Sequence, residues 1–143
     1  YRFAKETEYN SIWHAYNDVF DLLPIAATIG KRILCMHGGL SEGMQKADIA
    51  GIRMPLIRDN VIGHAKNVLW SDPLAGCTGY KRNEERRSGQ IFGPDAVENA
   101  CKDLAIDCII RAHQAVGGIK FFANRKVFTI FSASNYEEGN AAG

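Results

Sequence analysis

Two histidines in this sequence stand where an imidazole could bind a metal ion. His37 follows the apolar run Ile33–Met36 and precedes Gly38-Gly39, and His113 ends the run that begins with Cys108–Ile110. Short apolar runs with β-branched residues predict buried strands, so each histidine is expected at a strand's carboxyl end. The glycines would let the backbone bend with positive φ and leave room for an ion or a phosphate. Two imidazoles delivered by two strand ends indicate a metal site, although a single histidine after a strand is more often a turn or core residue.

Two further segments carry side chains that suit a phosphate site. Val68–Trp70 is an apolar run that leads into Ser71-Asp72-Pro73, which fits either a substrate surface or an Asp-Pro turn beneath a packed tryptophan. The segment Gly79–Gly89 is the most charged part of the chain. It is either a solvated loop or the source of a guanidinium that grips phosphate oxygens with two hydrogen bonds.

Composition limits the class of protein. The chain has 143 residues, 46% of them hydrophobic, which is enough for one globular domain. A net charge of +1 gives no reason to expect nucleic acid or a membrane as a partner, and no apolar run reaches the roughly 20 residues of a membrane helix. The four cysteines form no CxxC pair, which favours reduced thiols and a cytoplasmic or nuclear location. Because the sequence begins at Tyr1 without methionine, we expect it to be part of a longer chain.

The elements that must position these residues follow from periodicity and turn signals. Apolar residues at helical spacing predict an amphipathic helix over Ser11–Leu23 with His14 on its exposed side, and Pro94 starts a second helix that ends at Leu104. Ser41 is expected to cap a short polar helix, and Arg58–Asn67 is expected to be a surface loop. The predicted strands are Leu23–Ile29, Arg32–Met36, Asp107–Ala112, Ile119–Ala123 and Val127–Ala133.

Several motifs in register resemble one enzyme family. They are Leu23–Ala27 (LPIAA), Met36–Ser41 (MHGGLS), Leu69–Pro73 (LWSDP), Phe92-Gly93, Arg111–Gln114 (RAHQ), Phe121–Ala123 (FFA) and Phe131–Tyr136 (FSASNY). In order and spacing they are similar to the metal-dependent serine/threonine protein phosphatases, with the type-1 enzymes most alike. The resemblance implies an α/β (α+β) fold, the calcineurin-like metallophosphoesterase β-sandwich flanked by helices, of which this chain would supply only the C-terminal part.

The resemblance also implies roles for individual residues. His37 and His113 match ligands of one of two divalent metal ions, Mn, Fe or Zn, which activate water as hydroxide for attack on phosphorus. Arg86 matches the arginine that holds phosphate, with Arg87 as a second candidate, and Tyr136 matches a tyrosine whose hydroxyl lies at the metal site. Residues similar to the substrate surface are Trp70 and Asp72. Those similar to a hydrophobic groove for regulatory peptides are Ile33, Cys108 and Phe121.

Residues 1–143 lack the family's first three motifs. GDxHG, GDxVDRG and GNHE, which carry further metal ligands and the general acid, do not occur. The chain is therefore expected to be a partial catalytic domain of a phosphatase that hydrolyses phosphoserine and phosphothreonine in proteins, with phosphoprotein substrates and regulatory or targeting subunits as partners, and to be inactive by itself. A truncated, catalytically inactive protein that retains partner-binding surfaces is the alternative, and a metallophosphoesterase acting on nucleotides is a third.

Overall fold

A computed structural model of the chain describes residues 6–57, 61–134 and 136. Their contacts divide them into two compact units, the first formed by residues 6–24 with 53–57 and 61, the second by 25–52 with 62–134 and 136. The first unit contains α1 (Glu6–Phe20), the predicted amphipathic helix, which ends three residues earlier than its periodicity indicates. His14 is exposed on this helix, as predicted.

The second unit contains two β-sheets with helices, so the predicted mixed α/β architecture is confirmed. The five-stranded sheet has the order β1-β2-β6-β8-β7, and the three-stranded sheet has the order β3-β5-β4. The helices are α2 (Lys46–Ala50), α3 (Gly63–Trp70) and α4 (Pro94–Asp103). The strands are β1 (Ala26–Ile29), β2 (Ile33–Met36), β3 (Asp72–Pro73), β4 (Tyr80–Arg82), β5 (Gln90–Phe92), β6 (Cys108–Arg111), β7 (Ile119–Phe122) and β8 (Val127–Ile130).

The order of strands in the larger sheet brings the two histidine-bearing strands together. β2 pairs with β1 as an antiparallel hairpin across Gly30-Lys31 and runs parallel to β6 on its other side, with Cys35 opposite Ile110. Parallel neighbours have their carboxyl ends at the same edge of the sheet. The segments after β2 and β6, which begin with His37 and Ala112, therefore leave the sheet side by side.

One hydrophobic core joins the two sheets and α3 and α4. Successive residues of a strand point to opposite faces, and β2 buries Leu34 and Met36 while its alternate residues stay half-exposed. The smaller sheet contributes Phe92, and α4, which begins with Pro94 at its first helical position as predicted, contributes Val97. The remaining core residues from these elements include Val68, Cys101, Leu104, Ile109 and Val127.

Two predictions about the segment between β2 and β3 are wrong. Residues 63–67, expected to lie in a surface loop, belong to α3, and residues 58–60 lie outside the described residues. The helix was missed because Ile62 at its N-cap position makes no side-chain cap, and only Ala65 and Val68 are buried. Ser41 does not cap α2, which begins after Gln45. Its buried hydroxyl instead contacts His64 and Asn67 of α3, each at 2.7 Å.

Within these described ranges, none of the helices has the length and hydrophobicity required to traverse a bilayer.

Candidate metal and phosphate site

The two predicted metal ligands lie in contact at the carboxyl edge of the larger sheet. His37 Nε2 is 3.0 Å from His113 Nδ1, and the ring centroids are 4.8 Å apart. The backbone N–H of Ala112 donates to the carbonyl of His37 at 3.0 Å, which extends the β2–β6 pairing into the two loops. The structure therefore brings together the two imidazoles that the sequence placed at the carboxyl ends of two strands.

His113 has an unusual backbone conformation. Its φ is 62°, in the left-handed region that non-glycine residues seldom occupy, and the N–H of Gln114 donates to the carbonyl of Ala112 at 2.7 Å to close a tight turn. Such conformations cost free energy and are concentrated at functional sites, where the surrounding structure holds them. The turn directs the imidazole of His113 toward His37.

Gly38 and Gly39, which follow His37, allow the chain to pack closely against neighbouring segments. Neither Gly38 nor Gly39 is among the described residues with positive φ, so the expectation of a left-handed bend at these glycines is wrong. The N–H of Gly38 donates to the carbonyl of Val68 at 2.7 Å. A Cβ on Gly38 would lie 2.5 Å from the backbone nitrogen of Trp70, and one on Gly39 would overlap the ring of Phe92 and lie 2.8 Å from its Cζ. The turn after β2 is thus pressed against the end of α3.

Burial favours the neutral form of both imidazoles. Burial lowers the pKa of His113 to about 4, with the positive charge of Arg86 acting in the same direction. Burial also lowers the pKa of His37, aided by Arg111 and Arg86. A neutral imidazole keeps a nitrogen lone pair, which is the form that binds metal ions.

Arg86 is held beside His113 by Asp72, the first residue of β3. Its Nε donates to Asp72 Oδ2 at 2.5 Å, and its Nη2 lies 3.5 Å from the carbonyl oxygen of His113. The backbone N–H of Arg86 donates to Asn83 Oδ1 at 3.1 Å, which fixes the turn that carries it. The Arg86 side chain is 30% exposed. Arg87 lies next to it on the same turn, exposed and with φ of 52°.

The other residues assigned to the substrate surface differ in exposure. Trp70 is 41% exposed and its ring stands edge-on to the ring of His113, at 5.4 Å between centroids. Asp72 is 7% exposed, and its oxygens accept hydrogen bonds from two arginines and Asn83. Trp70 therefore forms part of the site's wall, whereas Asp72 acts as a support for Arg86, and a direct contact of Asp72 with substrate stays a prediction.

Tyr136 is not brought to the histidines by any contact between described residues. Its side chain is 65% exposed and its ring packs on Phe131 at 5.1 Å between centroids. Residues 135 and 137–143 lie outside the described residues. The role of Tyr136 stays a prediction.

The three residues assigned to a peptide groove share one face of the larger sheet. Ile33 and Cys108 are direct cross-strand neighbours in β2 and β6. Phe121, on the edge strand β7 and 48% exposed, is paired with Phe128, which is paired in turn with Ile110. Because Ile110 lies two residues after Cys108, all of these side chains point to the same face.

Sequence reasoning missed Arg111, which has the most extensive hydrogen bonding at the site. Its guanidinium donates to Gly38, Ser71, Asp72 and Gln114. The sequence did contain a signal for Arg111. In a buried strand, every second residue points into the core, and an arginine at such a position requires charged or polar partners inside the fold.

The residues present fit part of a metal site. His113 Nε2 is buried and has no hydrogen-bond partner in the part of the chain that the structure describes. Two nitrogens bound to one tetrahedral ion at about 2.1 Å each are separated by about 3.4 Å. His37 Nε2 and His113 Nδ1 are 3.0 Å apart, so small movements of the rings would let both bind one ion. No group of three or more His, Cys, Asp or Glu side chains among the described residues could hold a metal ion. The two imidazoles thus suit one ion but supply only part of its ligands.

A comparison with known families shows which family the chain belongs to. The calcineurin-like phosphoesterase family matches residues 1–117. The chain belongs to this family. Its members are metallophosphoesterases, which implies divalent metal ions at the site of this phosphoesterase chain. The paired imidazoles and the adjacent arginine agree with that implication.

Similar proteins are serine/threonine protein phosphatases. A serine/threonine-protein phosphatase of Caenorhabditis elegans is 39% identical over 137 residues, which cover 94% of this chain and 30% of the relative. The serine/threonine-protein phosphatase PP1-delta of the same species is 41% identical over 128 residues, which cover 87% of this chain and 41% of the relative. The phosphoesterase chain therefore spans less than half the length of these curated relatives.

A solved structure confirms the predicted fold. A protein serine/threonine phosphatase from Saccharomyces cerevisiae, described as similar to human phosphatase PP5, matches with a TM-score of 0.78 and 28% identity. The match covers 92% of the phosphoesterase chain and 41% of the yeast chain. The two sheets and their helices thus adopt the calcineurin-like phosphoesterase fold.

Proposed function

We propose that this chain is the C-terminal part of the catalytic domain of a protein serine/threonine phosphatase, which hydrolyses phosphoserine and phosphothreonine in proteins. The observation that carries the proposal is the convergence of His37, His113 and Arg86 at one edge of the larger sheet. Two imidazoles beside a partly exposed arginine side chain suit a metal ion next to a phosphate. The phosphatases at 39% and 41% identity support this substrate class.

The roles of the chain's own residues follow from their contacts. His37 and His113 would hold a divalent metal ion through ring nitrogens. Arg86 would bind phosphate oxygens with the N–H groups that Asp72 leaves free, because a planar guanidinium can donate two parallel hydrogen bonds to a phosphate. Trp70 would exclude water from one side of His113. Arg87 would provide a further exposed positive charge for the substrate.

The metal ions, when bound, would activate water and neutralise charge on the phosphate. Imidazole nitrogen is a ligand for Mn, Fe and Zn, and we propose that two ions of this group occupy the complete site. Ligands beyond the two histidines, and the proton donor for the leaving group, would come from the GDxHG, GDxVDRG and GNHE motifs, which do not occur in residues 1–143. Tyr136 would contribute its hydroxyl.

We further propose that regulatory or targeting subunits bind the sheet face that carries Ile33, Cys108 and Phe121. The support is that these side chains lie on one face and that Phe121 is exposed on an edge strand. A cytoplasmic or nuclear location is proposed because Cys35, Cys77, Cys101 and Cys108 are all free thiols, as expected in a reducing compartment.

The test compares two histidine substitutions of equal size. His113→Ala removes a proposed metal ligand, and His14→Ala removes an exposed imidazole from α1. Binding of Mn²⁺ and Zn²⁺ is measured by calorimetry on the 143-residue chain. Hydrolysis of a phosphoserine peptide is measured on that chain and on a chimera in which the upstream part of the C. elegans PP1-delta precedes it.

We expect hydrolysis by the chimera and not by the chain alone, since the chain holds only part of the ligand set. His113→Ala in the chimera should lower turnover by about 100-fold and weaken metal binding, while its urea unfolding midpoint stays near that of the parent. His14→Ala should change none of these. Near-normal turnover of the His113→Ala chimera would remove the ligand assignment, and a chimera that folds and binds metal but does not hydrolyse the peptide would contradict the proposed activity.

A further inference from the structure

The largest fully buried side chain among the described residues is charged. Arg111 lies on β6, and its side chain has 0% exposed surface. Removing a guanidinium from water is strongly unfavourable unless hydrogen bonds and an opposite charge replace the water. The partners of Arg111 therefore show what the buried charge contributes.

Arg111 donates four hydrogen bonds, which reach three separate segments of the chain. Nε donates to the carbonyl of Gly38 at 2.6 Å, in the turn after β2. Nη2 donates to the carbonyl of Ser71, the C-cap of α3, at 3.2 Å and to Oδ1 of Asp72, the first residue of β3, at 2.9 Å. Nη1 donates to Gln114 Oε1 at 2.7 Å, in the loop after β6. A rigid planar fork thus fixes three loops relative to one another.

Each of the four acceptor residues is either adjacent in sequence or hydrogen-bonded to a residue of the site. The pairs are Gly38 beside His37, Ser71 beside Trp70, Gln114 beside His113, and Asp72 bonded to Arg86. Arg111 itself is not exposed and does not face a ligand. Its position in the network is therefore that of a support behind the site.

We propose that Arg111 is a positioning residue that sets the mutual placement of His37, His113, Trp70 and Arg86. This inference rests on the proposed function, which assigns these side chains to a metal and phosphate site. Three of the four hydrogen bonds hold a residue that is next in sequence to His37, Trp70 or His113. The fourth holds Asp72, the carboxylate that Arg111 shares with Arg86. Loss of the fork releases all three loops at once.

A purely structural role for Arg111 makes a different prediction. If the guanidinium only contributed to the stability of the fold, any core substitution with the same loss of stability would affect the site equally. Val127→Ala is the matched control, because Val127 is 0% exposed on β8 and is not one of the hydrogen-bond partners of Arg111. Arg111→Lys keeps the positive charge but replaces the planar fork with a single ammonium group, which cannot reach all three loops.

The experiment measures the distance between the two histidine rings by NMR, with the 143-residue chain and without metal or substrate. The cross-relaxation signal between the rings of His37 and His113, whose centroids are 4.8 Å apart, should weaken by about threefold in Arg111→Lys if the loops loosen by about 1 Å. The signal should be unchanged in Val127→Ala. Arg111→Met, which removes the charge, should weaken the cross-relaxation signal further or prevent folding. If Arg111→Met does not fold, the signal of Arg111→Lys alone tests the positioning role.

A second measurement uses Zn²⁺ as the probe. Zinc affinity should fall by about 10- to 100-fold in Arg111→Lys and by no more than about twofold in Val127→Ala. An unchanged ring signal in Arg111→Lys, or an equal weakening in Val127→Ala, would overturn the positioning role. Failure of the wild-type chain to bind zinc would count against the proposed function alone, because the ring measurement requires no metal.

Discussion

Replacement of Gly38 by alanine should both destabilise the fold and displace His37. A methyl group at Gly38 would lie 2.5 Å from the backbone nitrogen of Trp70 and 2.7 Å from the carbonyl oxygen of Leu69. Both neighbours are backbone atoms, so rotation of a side chain cannot relieve the overlap. Overpacking of this kind costs about 1–3 kcal/mol. Loss of the hydrogen bond from Gly38 to the carbonyl of Val68 adds about 1 kcal/mol, for a total of about 2–4 kcal/mol.

The assay is urea unfolding with Gly76→Ala as the control. A Cβ at Gly76 meets nothing within 4 Å, so this substitution should change the free energy of unfolding by less than about 1 kcal/mol. Because His37 precedes Gly38, zinc affinity should also fall by about tenfold in Gly38→Ala and remain unchanged in Gly76→Ala. Equal stability of the two variants would refute the argument that backbone packing positions the turn after β2.

Three further predictions concern the core and its titratable groups. Leu34→Ala should cost about 2–5 kcal/mol in urea unfolding, because Leu34 is 2% exposed, whereas Ile29→Ala, at 57% exposed, should cost little. Burial and nearby carboxylates raise the pKa of Tyr80 to about 12 from 10.0, so its neutral phenol stabilises the fold below pH 10 and that contribution is lost as the pH rises toward 12. Tyr80→Phe should reduce this loss of unfolding free energy, and an identical pH dependence would contradict it. In native protein, a thiol reagent should label the half-exposed Cys35 and Cys108 first, with the buried Cys77 and Cys101 reacting only after unfolding.

The strands and the histidine pair could be predicted because their signals are local. Apolar runs with β-branched members define β2 (Ile33–Met36) and the first three residues of β6 (Cys108–Ile110), and each run ends shortly before its histidine. The proximity of the two histidines, 3.0 Å between His37 Nε2 and His113 Nδ1, depended on the two strands being parallel neighbours. The sequence supplied that adjacency only through the resemblance to the phosphatases, since hydrophobic periodicity does not define which strands pair.

The parts that could not be predicted depend on contacts between distant segments. Helix α3 has only two buried residues and no capping side chain, so its pattern is too weak to separate from a loop. The interpretation of Gly38 as a flexible turn residue was wrong because its requirement for glycine comes from the backbone of Trp70, 32 positions further along. Hydrogen bonds from Arg111 to Gly38 and Asp72 join residues 73 and 39 positions away. Local patterns contain no information on such partners.

The charges around Asp72 explain why this arrangement suits an anion. Arg111 and Arg86 carry two positive charges and Asp72 one negative charge, so the three residues have a net charge of +1 beside two imidazoles whose pKa is lowered by burial. A buried ion pair is a poor source of stability, because well-packed apolar side chains of similar volume often serve the fold as well or better. Unlike apolar residues, the two arginines bring positive charge to the site, and they differ in exposure. Of the two arginines that share Asp72, Arg111 is fully buried and Arg86 is 30% exposed, so solvent reaches the side chain of Arg86 and not that of Arg111. A phosphate bound at Arg86 would therefore lie beside a cluster whose net charge is positive.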